Sequence, residues 1–148
     1  MDTIDRKIMN ELQFHFPITS RPYAEIGERL GISEKEVIER IKRLKRDGYI
    51  RRIGANFNSD KLGFVSTLCA AKVPKEKIAE FVKIVNRYKG VTHNYQRRDE
   101  FNIWFTFIAP TMEEVEKALE EIRKETGIEE IYNFPATKTY KIEVKFKV

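Results

Sequence analysis

The chain has 148 residues, a formal net charge of +5, 41% hydrophobic residues and 34% charged residues. Its length suits one domain or two small ones, and its apolar content is enough for a packed core, which excludes a disordered protein. No apolar run approaches the roughly 20 residues of a membrane span, and the first residues lack a signal-peptide pattern, so we expect a cytoplasmic protein. The single cysteine, Cys69, excludes an internal disulfide and a cysteine-rich metal site, and its apolar neighbours predict a buried structural thiol.

The first sixty residues predict three helices followed by a strand. Apolar residues recur at helical spacing over about 3–14, Pro22 suits the first position of a second helix, and Ser33 begins a capping box that opens a third. Gly48 ends the third helix, and residues 49–53 are expected to form a strand. Helix, glycine-containing turn, helix and strand is the pattern of a winged helix-turn-helix, which we assign to residues 1–60.

Residues 61–148 predict a second domain with a different alternation of elements. In chain order they are a strand at about 64–73, a helix at 75–89, strands at 91–97 and 101–109, a helix at 112–126, and a last strand through Tyr140, Ile142, Val144 and Phe146. The order βαββαβ is typical of a ferredoxin-like sandwich, so the chain belongs to the α+β class. Helices cover only one face of such a sheet, and we expect a second subunit to cover the other in a dimer.

The predicted hairpin at 91–109 carries polar chemistry within its strands. It holds one of the two histidines, His93, together with Tyr95, the adjacent Arg97 and Arg98, and the only tryptophan, Trp104. A histidine can exchange a proton near neutral pH, and an arginine forms paired hydrogen bonds to carboxylates. We therefore interpret this segment as a site for an anionic ligand.

The whole chain resembles the leucine-responsive/asparagine-type (Lrp/AsnC) regulators. In detail it resembles a narrower group of that superfamily, the siroheme decarboxylases of the alternative haem pathway. Four segments carry the likeness: residues 16–17 with 21–22, residues 50–55, residues 93–97 with 102–106, and residues 134–142. The third is the most specific, and it is similar to the smaller, A-type subunit rather than to its B-type partner.

This resemblance implies an activity and a set of partners. The activity is the removal of CO2 from two acetate side chains of siroheme to give 12,18-didecarboxysiroheme, with no organic cofactor and no resident metal. The partner is a B-type decarboxylase subunit in a heterodimer, or a second copy of the chain in a homodimer. No membrane partner is implied.

The implied reaction requires cations for the carboxylates, a flat surface for the macrocycle and a proton donor. His93 and Tyr95 are the candidate general acids, and His93 could instead ligate the substrate iron. The candidate substrate-binding residues are Arg97, Arg98, Arg51, Arg52, Asn102 and Trp104.

DNA binding is the alternative function, that of an Lrp/AsnC-type transcriptional regulator. The third predicted helix carries the candidate phosphate-binding residues Lys35, Arg40, Lys42 and Arg43. Acidic residues stand in its first turn, however, where a recognition helix enters the groove. We therefore expect weak or absent DNA binding. A third alternative stays open, which is a sensor that binds its ligand at the same hairpin without catalysing a reaction.

Overall fold

The computed structural model describes residues 1–141, 146 and 148. The chain forms two compact units. One comprises Met1–Asn56 with the described residues at the C-terminal end, and the other comprises Phe57–Tyr140. Among the helices in the described part of the chain, none is both long and apolar enough to cross a membrane.

The first unit is built from three helices: α1 Thr3–Phe14, α2 Pro22–Leu30 and α3 Glu34–Arg46. Asp2 and Asp5 form a reciprocal capping box at the start of α1, and Pro22 opens α2. The hydroxyl of Ser33 accepts a hydrogen bond from the amide of Glu36 at 3.1 Å, as the predicted cap requires. The apolar faces of the helices meet in a core of Ile8, Ile26, Val37 and Ile41.

The strand expected at residues 49–53 is absent from the described elements. Gly48 ends α3 with a φ of +81°, as predicted. The amides of Tyr49 and Ile50 then donate to the carbonyl of Leu44, at 2.9 and 3.2 Å, instead of to a neighbouring strand. The prediction was wrong because a strand needs a paired neighbour, and no described residue pairs with this segment.

The second unit has the predicted βαββαβ order. Its elements are β1 Val65–Ala71, α4 Ile78–Val85, β2 Val91–Gln96, β3 Ile103–Ala109, α5 Met112–Thr126 and β4 Ile131–Pro135. The strands form one antiparallel sheet in the order β2-β3-β1-β4. Thr111 caps α5 by accepting from the amide of Glu114 at 3.2 Å, and Gly127 ends that helix with a φ of +65°.

The fourth strand of the sheet lies earlier in the chain than predicted. β4 pairs with β1, with Ile131 opposite Ala71 and Phe134 opposite Leu68. The strand expected through Tyr140, Ile142, Val144 and Phe146 falls largely outside the described residues, and Tyr140 itself is in no strand. β4 was not predicted because it has only five residues and ends in a proline, so its alternation of apolar and polar residues is weak.

The sheet has two chemically different faces, because successive side chains of a strand point to opposite sides. On one face, Phe105 and Phe107 of β3 pack into a core with Phe81 of α4 and Val115 of α5. We call the other side the open face. Strand pairing places the following side chains on it: His93, Tyr95, Trp104, Thr106, Leu68, Tyr132 and Phe134.

Candidate functional site

A β-bulge in β2 brings two consecutive side chains to the open face. Val91 pairs with Phe107, whereas His93 pairs with Thr106, so Thr92 is the extra residue. The hydroxyl oxygen of Thr92 lies 2.8 Å from that of Thr106 and 3.1 Å from Nδ1 of His93. Because Nδ1 contacts both hydroxyls, Nε2 is the ring nitrogen that remains available to a ligand.

Aromatic rings extend across the open face from β2 to β4. The rings of His93 and Tyr95 stack with 6.1 Å between centroids and an interplanar angle of 22°. Trp104 and Phe134 also stack, at 6.1 Å and 23°, and Tyr132 lies 6.4 Å from Phe134. Trp104 of β3 and Phe134 of β4 thus stack across β1, which lies between their strands, and the rings form an aromatic surface of the kind that a macrocycle requires.

The hairpin turn places two arginines at the edge of this surface. Arg97, Arg98 and Asp99 line an open pocket of about 570 Å³ together with Leu68 and Trp104. Both arginines are exposed, and neither guanidinium has a hydrogen bond or ion pair with another described residue. Arginines beside Leu68 and Trp104, with no ion-pair partner among the described residues, suit an anionic ligand that brings its own carboxylates.

Asn102 supports this turn through hydrogen bonds to the backbone, and its role in ligand binding stays a prediction. Its Oδ1 accepts from the amide of Val73 at 2.9 Å, and its Nδ2 donates to the carbonyl of Val73 at 2.8 Å. The carbonyl of Asn102 also accepts from the amide of Arg97 at 2.8 Å. A salt bridge of 2.7 Å between Lys72 and Glu100 holds the turn from the other side.

The second predicted pair of arginines lies in the other unit. Arg51 and Arg52 are exposed residues of the segment after α3. Nη2 of Arg52 donates to the carbonyl of Ala55 at 3.2 Å. The described geometry of the hairpin site therefore does not include them, and their role in binding stays a prediction.

Two of the four candidate DNA-binding residues are bound within the first unit. Arg40 forms ion pairs with Asp2, Asp5 and Glu36 at 2.6–2.9 Å. Arg43 pairs with Asp5, whose side chain is fully buried. Lys35 and Lys42, by contrast, are exposed. Arg40 and Arg43 are thus paired with carboxylates of the same unit, whereas a DNA-binding helix would direct such arginines at phosphates.

These contacts change the pKa values of both aspartates. The hydrogen bond from Arg40 is the main cause that lowers the pKa of Asp2 from 3.8 to about 2. Burial alone would raise the pKa of Asp5, but the amide of Asp2 and the guanidinium groups of Arg40 and Arg43 hold it below its ordinary value.

The remaining chemically reactive groups of the second unit offer no metal centre or nucleophile. Cys69 is buried, as predicted, and burial raises the pKa of its thiol to about 12. Such a thiol stays protonated at neutral pH and is therefore inert. Within the described residues there is no cluster of His, Cys, Asp and Glu that could hold a metal ion.

The sequence matches two known domain families. Residues 5–51 match the siroheme decarboxylase NirDL-like HTH domain, and residues 61–141 match the AsnC-like ligand binding domain. The siroheme decarboxylase alpha subunit of Desulfovibrio desulfuricans is 53% identical over all 148 residues, which span 85% of that protein. The siroheme decarboxylase NirD subunit of Pseudomonas aeruginosa is 35% identical over 146 residues, which cover 99% of this chain and 96% of that protein.

Solved structures show the same fold. The leucine response regulatory protein LrpA of Mycobacterium tuberculosis has a TM-score of 0.81 at 18% identity over the whole of both chains. The siroheme decarboxylase NirDL in co-complex with an iron-uroporphyrin III analogue has a TM-score of 0.65 at 28% identity, covering 96% of this chain and 48% of that one. The chain therefore belongs to the siroheme decarboxylase subunits of the Lrp/AsnC superfamily.

Proposed function

We propose that this chain is an alpha-type subunit that acts on siroheme, removing CO2 from two acetate side chains to give 12,18-didecarboxysiroheme. One observation carries the proposal. The open face presents a histidine, a phenol and stacked aromatic rings, and at its edge two arginines without acidic partners among the described residues line a pocket of about 570 Å³ with Asp99, Leu68 and Trp104. The names of relatives that cover the full chain at 53% identity support the same substrate.

We expect the arginines to bind the charged groups of the substrate and the aromatic rings to bind its flat macrocycle. Arg97 and Arg98 would pair with carboxylates at the rim of the macrocycle, where a guanidinium offers two parallel donors to one carboxylate. The stacked surface of Trp104 and Phe134 would support the ring itself. Asn102 acts indirectly, because it fixes the turn that carries both arginines.

Each decarboxylation breaks the bond between an acetate CH2 and its carboxylate carbon. CO2 leaves, the electron pair stays on the CH2 carbon, and one proton converts that carbon into a methyl group. The balance needs no oxidant and no organic cofactor. We propose that Nε2 of His93 or the hydroxyl of Tyr95 delivers the proton, since both side chains are exposed on the open face beside each other.

A partner subunit is part of the proposal. Tyr132 and Phe134 leave 47% of their surfaces exposed on the open face, and exposed aromatic patches of this kind mark interaction sites. We infer a dimer with a B-type subunit or with a second copy, burying about 800 Å² per partner. Light scattering at micromolar concentration tests this, and a strictly monomeric chain, alone and mixed with a B-type subunit, would contradict it.

An anaerobic titration tests the substrate assignment directly. Siroheme added to the full chain, with and without a B-type subunit, should give a saturable change in the absorption of the macrocycle. A double variant, Arg97→Ala with Arg98→Ala, should weaken the binding, whereas Arg6→Ala on α1 should leave it unchanged. Equal binding by the wild type and the double variant would show that the two arginines do not bind siroheme.

A further inference from the structure

We propose that the hydroxyl groups of Thr92 and Thr106 form a positioning pair for His93. The two hydroxyls contact Nδ1 and so fix the orientation of the ring, which leaves Nε2 free of any partner among the described residues. The consequence for turnover rests on the proposed function, whereas the orientation of the ring does not. Neither threonine was recognised as a site residue from the sequence.

The bulge makes this contact possible. In a regular strand, Thr92 and His93 would point to opposite faces of the sheet. The extra residue in β2 lets both reach Thr106 of β3. The resulting separations are 2.8 Å between the two hydroxyl oxygens, 3.1 Å from Thr92 to Nδ1 and 3.4 Å from Thr106 to Nδ1.

Hydroxyl groups suit this position because each can both donate and accept a hydrogen bond. Thr92 can donate to Nδ1 of a neutral imidazole, and it can accept from the Nδ1–H of an imidazolium. The contact between the hydroxyls of Thr92 and Thr106 holds the Thr92 hydroxyl in place, so the pair can keep the same ring orientation in both forms of His93.

A fixed ring orientation suits proton transfer from Nε2. A histidine that acts as a general acid is an imidazolium, in which both ring nitrogens carry a proton. With Nδ1 bound at the hydroxyl pair, the Nε2 proton is the one available to the CH2 carbon that has lost CO2. Its transfer leaves a neutral imidazole whose Nδ1–H is accepted by Thr92.

Nitrogen NMR of the full chain tests the contact without any substrate. The chain has two histidines, so a His15→Gln variant assigns the signals of His93. We expect the Nδ1 resonance of His93 to be that of a hydrogen-bonded nitrogen. Thr92→Val should move it towards the resonance of a nitrogen without a hydrogen bond, and Thr92→Ser should restore it. An Nδ1 resonance that stays the same in Thr92→Val would overturn the proposal.

Kinetics with siroheme and the partner subunit test the consequence. Thr92→Val and Thr106→Val should each lower kcat by about 2- to 12-fold, the range for one hydrogen bond, with KM unchanged. The serine variants should recover the rate. Thr126→Val is the control, because it removes a hydroxyl that donates to the carbonyl of Ile122 within α5 and so affects stability alone. Full kcat in the valine variants would contradict the positioning role. Absence of turnover in the wild type would instead contradict the proposed function, and the NMR result would still decide whether the hydroxyls hold the ring of His93.

Discussion

Both carboxylate oxygens of Asp5 accept hydrogen bonds from Nη2 of Arg43, each at 2.7 Å, in the interior of the first unit. Arg40 adds a second guanidinium to the same carboxylate at 2.9 Å. A helix-turn-helix that reads DNA directs such arginines outwards, at phosphates and base edges. In this chain they connect α3 to α1.

We predict no tight, sequence-specific DNA binding by this chain. Arg40 and Arg43 would have to leave their carboxylate partners to reach phosphates, whereas Lys35 and Lys42 are exposed and have no such partner among the described residues. A gel shift at physiological salt should show at most weak binding, and alanine at either lysine should change the salt dependence little. Nanomolar affinity for one DNA sequence would favour the regulator instead.

The buried ion pairs should make the first unit sensitive to acid. A carboxylate whose pKa is lower in the folded chain stabilises the fold above its unfolded pKa, and this contribution disappears as the pH falls through the folded pKa. For Asp2 that range runs from 3.8 down to about 2, and the pKa of Asp5 is lowered as well. Chemical denaturation should therefore show a loss of stability between about pH 4 and pH 2.

Asp5→Asn should remove much of this dependence and destabilise the chain at neutral pH. Removing one member of a buried ion pair costs about 3–5 kcal/mol, and partial exposure of Arg43 favours the lower end. Asp47→Asn is the matched control, since Asp47 is 42% exposed and pairs with Arg46 on the surface. Equal effects of the two substitutions would show that the Asp5 contacts contribute little.

Loss of either hairpin arginine should weaken siroheme binding much more than it slows the chemistry. A charge-assisted hydrogen bond contributes about 1.5–3 kcal/mol, so Arg97→Ala or Arg98→Ala should raise the Kd about 10- to 150-fold. Lysine keeps the charge but not the paired donors, and should recover only part of the affinity. A Kd that is unchanged in both alanine variants would contradict the predicted carboxylate contacts.

Substitution of His93 should separate binding from proton transfer. If its Nε2 delivers the proton, His93→Gln should lower kcat by about 10²- to 10⁴-fold and leave the Kd for siroheme close to that of the wild type. Tyr95→Phe keeps the ring that stacks on His93 and removes only the hydroxyl, so it isolates the second candidate donor. A changed absorption spectrum of bound siroheme in His93→Gln would indicate iron ligation instead.

Local sequence signals predicted most of the helices but not the pairing details of the sheet. Pro22, Ser33 and Thr111 mark helix starts for physical reasons. Proline has no amide hydrogen that would need a partner at the first helical position, and the hydroxyls of Ser33 and Thr111 accept hydrogen bonds from first-turn amides. β4 was missed because five residues with a polar centre give little alternation. The bulge at Thr92 depends on how β2 aligns with β3, which no local pattern encodes.

Only part of the candidate site could be predicted from the sequence, for the same reason. His93, Tyr95 and Trp104 stand out by residue type, and strand pairing places all three on the open face. Asn102 was expected to bind the ligand, but its amide is bound to the backbone of Val73, a contact that spans 29 residues of sequence. Phe134 completes the stacked surface from a strand that the sequence did not reveal.

The most direct test of the proposed activity is the mass of siroheme after anaerobic incubation with the full chain and its partner subunit. We expect a product that has lost two CO2 units, formed by the wild type and strongly reduced in His93→Gln. A siroheme mass that stays unchanged, with the partner present and binding confirmed by absorption, would contradict the decarboxylase assignment and leave a tetrapyrrole-binding sensor.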